Sequence, residues 1–254
     1  MATTDVGLYE PINTLKPVAE NLWIVDGPII WMSAYFTKLP FPTRMTIIRL
    51  ANGDLFVHSP IQLTNSLKTE IDALGKVRHL ISPNKIHYAY IGEWGEVYPE
   101  AIKWACQGVR ERAEKNGFNI VFDRDLNDRP DLAWADEIDQ AIVHGSRFME
   151  EVVFFHKPSR TLILADLIEN FQKEKLGKKY GFLASFGGIL DPDGKTPFDL
   201  QMTFWGNHEQ AKKGVRQMLA WSPEKIILSH GRWYPSNGTD ELKRAFRWLG
   251  KLEV

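Results

Sequence analysis

Three side chains with metal-binding chemistry lie far apart in the sequence but in matching local surroundings. His87 sits in a loop shortly after an apolar run that ends at Ile81. Asp166 follows Thr161-Leu162-Ile163-Leu164-Ala165, and His230 follows Ile226-Ile227-Leu228-Ser229 and precedes Gly231. Each polar group stands at the carboxyl end of a strand-like run, where α/β proteins place their functional loops. Imidazole and carboxylate together suit zinc, iron or manganese. Singly, each residue has an ordinary structural use: an Asp after a strand is often a helix N-cap, and a lone His is more often a hydrogen-bonded structural residue than a ligand. Together, in this order, they point to a shared divalent cation with an open position, where water would be activated for attack on an ester, lactone, thioester or phosphoester.

Other residues are candidates for the same rim. His58 ends a strand-like run before Ser59-Pro60 and is a candidate ligand or a donor to one. Asn84 and Tyr88 are candidates for polarising a substrate oxygen. Glu93, after Gly92, is a candidate ligand or general base, with a solvated loop carboxylate as the ordinary alternative. One of Glu150 and Glu151 is expected to face inward, because adjacent strand side chains point to opposite faces. His79, within an alternating strand, reads as structural. His156 and Arg160 belong to a tight hairpin, and His208 begins a helix. Cys106 reads as a buried free thiol rather than a nucleophile. Gly187-Gly188 lacks the Gly-x-Gly-x-x-Gly spacing of a phosphate loop and reads as a turn or lid element.

The elements that must position these groups are legible in outline. Leu22–Val25, bounded by Asp26-Gly27-Pro28, reads as a strand. Met45–Leu50 and Leu55–His58 flank Asn52-Gly53, a strong hairpin signal. Thr64 is expected to cap a helix through Leu67, Ile71 and Leu74, with Gly75 as its stop. Val77–Ile81 reads as a strand, Gln107–Lys115 as a helix ended by Gly117, and Asp123–Asp136 as a loop. Ile138–Val143 reads as a strand, and Val152–Phe155 and Thr161–Leu164 as a second hairpin. His208–Leu219 is expected to be a helix, Lys225–Leu228 a strand and Thr239–Leu249 a final helix. The aromatic segment 171–206 gives no clear pattern and fits a substrate lid or a dimer interface equally well. Strand-rich and helical stretches in this order favour two packed sheets, or one mixed sheet, covered by helices.

Bulk properties narrow the function classes. The chain has 254 residues, enough for a substantial core, and a net charge of -1 that steers it toward neither nucleic acid nor an anionic membrane. One cysteine cannot form an internal disulfide. The N-terminus carries no basic patch followed by an apolar run, and no run is long enough to span a bilayer, so a cytoplasmic location is expected.

The layout resembles the metallo-β-lactamase superfamily, and especially an uncharacterised branch of it, a domain of unknown function. The resemblance rests on Phe56-Val57-His58-Ser59-Pro60, Ser82-Pro83-Asn84-Lys85-Ile86-His87, Glu93-Trp94, Glu151 through Leu162, Ala165-Asp166-Leu167 and Leu228-Ser229-His230-Gly231, and runs from about residue 20 to the C-terminus. It implies an α/β (α+β) fold, a four-layer αββα sandwich spanning residues 1–254 as one domain, with metals at one rim. Asp166 matches the superfamily's bridging Asp and His230 its late His. The first ligand loop departs from the pattern, offering Asn84 and His87 where several His and Asp ligands are usual. The middle His has no clear match, Glu151 or His144 lying nearest. The ligand set His87, Asp166, His230, Glu151 and His58 therefore implies one ion with an open position, or two only with unusual carboxylate ligands. The metal expected is zinc or iron, with manganese a third option. A small-molecule substrate and a homodimer are the expected partners. The competing expectations are a non-hydrolytic metal- or ligand-binding protein and an iron-dependent oxidative enzyme on the same fold.

Overall fold

The computed structural model describes residues 6–34 and 37–252. The first sheet comprises, in spatial order, β1 (Lys16–Ala19), β2 (Leu22–Ala34), β3 (Thr37–Arg49), β4 (Asp54–His58), β5 (Lys76–Ser82), β6 (Ile102–Ala105) and β7 (Arg124–Asp125). The second is built from β8 (Ile138–Val143), β9 (Glu151–His156), β10 (Thr161–Ile163) and β11 (Lys225–Ile227), in the order β11-β10-β9-β8. Helices α1 (Asn65–Leu74), α2 (Ile91–Val97) and α3 (Val109–Lys115) accompany the first sheet. Helices α5 (Phe198–Thr203), α6 (His208–Ala220) and α7 (Gly238–Ala245) accompany the second, and α4 (Lys178–Gly187) precedes α5.

Strand periodicity explains how one sequence serves four layers. Along β4, Phe56 points between the sheets while Leu55 and Val57 point outward under the helices. Along β9, Val152 and Phe154 point inward and Val153 and Phe155 outward. Two buried faces per strand require near-continuous apolar runs, as these segments show. Between the sheets, Phe56 meets Trp134 and Phe154 edge-on, with ring centroids 5.2 Å apart in each pair. The outer faces bury Leu67 and Ile71 of α1, Trp94 of α2, and Val215, Met218 and Leu242 of α6 and α7. The result is the αββα order that the resemblance implies. Among the described residues, no helix is long and apolar enough to cross a membrane.

The first helix forms as its sequence dictates: Thr64 accepts the Leu67 N–H through its side chain, and Gly75 follows the last residue. The strand expected to stop at Val25 instead continues to Ala34. Asp26-Gly27-Pro28 is a shift of register inside the β2–β3 pairing, not its end. Gly27 permits this, because a Cβ there would lie 2.5 Å from Thr43 Oγ1, and that hydroxyl donates to the Pro28 carbonyl at 2.8 Å.

Pairing direction fixes the rim. Strands β4, β5 and β6 run parallel, as do β10 and β11. Their carboxyl ends, with the loops that follow, carry His58-Ser59, His87, Asp166 and His230. A bridge between Asn84 and Glu151 ties the two sheets together at that end.

Candidate metal centre

Asp166 leaves the end of β10 with both carboxylate oxygens facing imidazoles. His87 Nε2 lies 2.9 Å from Oδ2 and His230 Nε2 lies 3.2 Å from Oδ1. One ligand atom from each of the three residues falls within 4.8 Å of the others. The rings of His87 and His230 are 5.4 Å apart. All three residues are buried or nearly so.

Each group is held from behind. His230 Nδ1 donates to the Pro42 carbonyl at 2.9 Å, which directs the other ring nitrogen toward Asp166. His87 Nδ1 lies 2.5 Å from Ser59 Oγ. Asn84 Nδ2 donates to Asp166 Oδ2 at 2.6 Å and to Glu151 Oε2 at 3.0 Å. Glu151, fully buried at the start of β9, accepts the N–H groups of Ala165 and Asp166 at 2.8 Å each. Burial alone would push the Asp166 carboxyl up, but the adjoining His87 and His230 imidazoles hold it well below the usual carboxylate range. Glu151 moves the other way. Burial and the neighbouring Asp166 charge push it up to about 7, against the pull of its hydrogen bonds.

The His230 loop is clamped by Arg44. This buried guanidinium donates through Nη1 to the Leu228 carbonyl at 2.8 Å and the Gly231 carbonyl at 2.7 Å. Its Nε and Nη2 pair with Asp26 Oδ1, and Lys16 Nζ reaches Asp26 Oδ2 at 2.7 Å. Asp26 and Arg44 stand directly opposite each other in the β2–β3 register. Gly231 adopts φ +93 and sits against Asn170, where a Cβ would meet the Asn170 carbonyl oxygen at 2.2 Å.

Of the residues singled out from sequence, His87, Asp166 and His230 converge, and Asn84 touches Asp166 directly. Both Asn84 Nδ2 contacts go to carboxylates, so its amide orients Asp166. Glu151 lies behind Asp166, with both oxygens engaged. His58 is buried under the same rim, with its ring on Phe154 at 5.6 Å and its Nε2 lacking a partner; it is not part of the three-residue cluster. Burial and the His87 charge push it down to about 3, so it is neutral. Tyr88 turns into the helical layer, where its hydroxyl accepts from Asn116 and its ring packs on Phe118. Glu93 lies exposed on α2 and accepts the Leu63 N–H. His144 is tied to Glu150 and Asp128 instead of the cluster.

Arg44, Asp26 and Ser59 were not singled out from sequence. The signal for the first two was an Arg and an Asp inside apolar strand runs, which buried strands hold only when paired. Glu169 was also missed. It is buried, and burial pushes it up to about 8. A narrow cleft opens above the cluster, lined by Ile30, Met32, Pro60, Ile86 and Tyr90 together with His87 and His230.

The profile of a domain of unknown function, DUF4336, matches residues 32–176, more than half of the chain. No curated protein matches in sequence. Among solved structures, the metallo-β-lactamase FIM-1 from Pseudomonas aeruginosa, in its mono-zinc form, is 13% identical. The alignment covers 98% of this chain and 99% of that one, with a TM-score of 0.63. A metallo-β-lactamase from Hirschia baltica is 13% identical over 98% of this chain and 100% of its own, with a TM-score of 0.59. Rubredoxin oxygen:oxidoreductase from the anaerobe Desulfovibrio gigas is 10% identical over 93% of this chain and 61% of its own, with a TM-score of 0.63. At these identities the likeness is one of fold: the chain has a metallo-β-lactamase-like fold.

Proposed function

The chain belongs to the DUF4336 family, and from the geometry at its rim we propose that it is a hydrolase that uses one divalent metal ion, zinc or iron, held by His87, Asp166 and His230. The observation that carries this reading is the His230 ring. Its Nδ1 proton is committed to the Pro42 carbonyl, and its Nε2 is buried without a hydrogen-bond partner 3.2 Å from a carboxylate oxygen. In the neutral ring that arrangement sets two lone pairs against each other, and a cation between them relieves the repulsion. Two imidazoles and a carboxylate form a donor set that fits zinc or iron, with manganese a weaker fit. Three protein ligands leave an open position, and among the described residues they form one cluster, which favours a single site.

A divalent ion bound here would supply Lewis acidity that activates water toward an ester, lactone, thioester or phosphoester. The chain's own residues do the rest. Asn84 and Glu151 fix Asp166 through its side chain and its backbone, so that it faces both imidazoles. Pro42 and Ser59 set the orientation of the His230 and His87 rings. Ile30, Met32, Pro60 and Ile86 line the approach with apolar surface, which excludes bulk water and strengthens the electrostatics of the cluster. The fold likeness to the D. gigas enzyme keeps iron-dependent oxidative chemistry as a second reading on the same ligands.

The deciding experiment loads the protein with zinc, and separately with iron(II) under anaerobic conditions. Turnover of a panel of 4-nitrophenyl esters, thioesters, lactones and phosphodiesters is then followed. Activity that rises with zinc occupancy and is lost in His230→Ala supports the hydrolase. A fully loaded protein that hydrolyses nothing but consumes dioxygen in its iron form supports the oxidative reading.

A further inference from the structure

We propose that Ser59, His87 and Asp166 also form a nucleophile–base–acid relay, so that Ser59 is a covalent nucleophile for acyl transfer in the metal-free chain. Ser59 Oγ lies 2.5 Å from His87 Nδ1, and the opposite ring nitrogen, Nε2, lies 2.9 Å from Asp166 Oδ2. A hydroxyl on one imidazole nitrogen and a carboxylate on the other is the relation found in a serine triad, here with the two ring nitrogens exchanged, Nδ1 facing the hydroxyl and Nε2 the carboxylate. Asn84 holds the carboxylate in place from its other side.

The backbone at Ser59 is a second, independent observation. It adopts φ 53, a left-handed conformation that residues other than glycine rarely take. Ser59 also stands directly after the last residue of β4, with α1 beginning only at Asn65. A serine held in left-handed backbone directly after a strand presents its hydroxyl at the end of the sheet, as a nucleophile elbow does, although here an irregular segment, and not the helix itself, follows the serine. Glycines usually flank such an elbow; here the positions two before and two after are Val57 and Ile61. Ser59 lines the cleft above the cluster. Tyr90 lines the same cleft, and its hydroxyl has no hydrogen-bond partner among the described residues.

The step balances without a further reagent. As Ser59 Oγ bonds to the acyl carbon of an ester or thioester, its proton passes to His87 Nδ1, while His87 Nε2–H donates to Asp166. Collapse of the tetrahedral species breaks the bond to the leaving alcohol or thiol, which departs with the proton from Nδ1. Water then repeats the sequence on the acyl-serine and releases the acid. Tyr90, which lines the same cleft, would donate to the tetrahedral oxygen.

The relay and the metal centre compete for one residue. A cation on His87 Nε2 requires the ring proton on Nδ1, which removes the acceptor that Ser59 needs. The test therefore treats the full-length chain with EDTA, removes the chelator, and incubates the protein with a fluorophosphonate, followed by intact mass and peptide mapping. One adduct per chain at Ser59 is expected. Labelling should be absent in Ser59→Gly, which suits the positive φ, and about a thousandfold slower in His87→Asn. Saturating zinc should slow it at least tenfold. A folded, metal-free chain that gives no adduct at Ser59, or one that labels as fast in His87→Asn, overturns the proposal. Zinc binding by the same preparation is measured separately. Loss of zinc binding with labelling intact sinks the metal hydrolase alone, and intact zinc binding without labelling sinks the serine relay alone.

Discussion

Replacing Arg44 by Met tests whether the rim is held by a buried ion pair. The guanidinium and the Asp26 carboxylate are 3% and 4% exposed, so neither can turn to water when its partner is removed. Arg44→Met keeps most of the side-chain volume but strands Asp26 with Lys16 alone. It also leaves the Leu228 and Gly231 carbonyls without their shared donor. Breaking one side of a buried pair costs about 3–5 kcal/mol. For a chain of this size each kcal/mol shifts the melting temperature by about 2–4 °C, so a fall of roughly 6–20 °C is expected by thermal unfolding. Because the two orphaned carbonyls flank His230, zinc affinity should also fall, by about ten- to a hundredfold. Adding Asp26→Asn to Arg44→Met should cost much less than Asp26→Asn alone, since the stranded charge is already without its main partner. A melting temperature within about 2 °C of the parent would refute the claim that this pair organises the rim.

Two further outcomes follow from the polar interior. Glu151→Gln leaves one of three buried donors facing an amide NH2; it should cost about 1–3 kcal/mol in denaturant unfolding and weaken zinc binding measured by calorimetry. His79 and His156 are buried, and burial lowers both from 6.5 to about 4. The unfolded chain therefore binds protons that the folded chain refuses, so the stability they contribute is complete above pH 6.5 and is lost as pH falls toward 4. At pH 5 the loss is about 2 kcal/mol per histidine. Urea midpoints measured from pH 7 to 5 should fall accordingly, and a His156→Phe variant should show a shallower slope; equal slopes contradict the assignment.

Where the sequence was legible, local chemistry was sufficient. The Thr64 cap, the Asn52-Gly53 turn and the Ile138–Val143 strand needed no tertiary information, because a side-chain oxygen, a positive φ and a two-residue period each act within a few residues. His87, Asp166 and His230 could be gathered because each follows an apolar strand, and parallel strands bring their carboxyl ends to one edge. Side-chain direction in irregular backbone was not legible. Tyr88 and Tyr90 are two residues apart, yet Tyr88 turns toward Asn116 and Tyr90 lines the cleft. Glu151 and Asn84 were visible as polar residues, but their part in bracing Asp166 depends on a contact between two sheets, 67 residues apart in the chain. The continuation of β2 through Gly27-Pro28 was hidden because a bulge carries the same residues as a turn.

Two imidazoles and one carboxylate are proposed to share a cation at the rim. Elemental analysis of the purified chain, after equilibration with zinc or iron(II) and removal of unbound ion, measures this directly. One ion per chain is expected in the parent protein, falling to a small fraction in Asp166→Ala and in His230→Ala variants that remain folded by circular dichroism. A folded parent chain that retains no ion under either condition, or variants that retain as much as the parent, would contradict it.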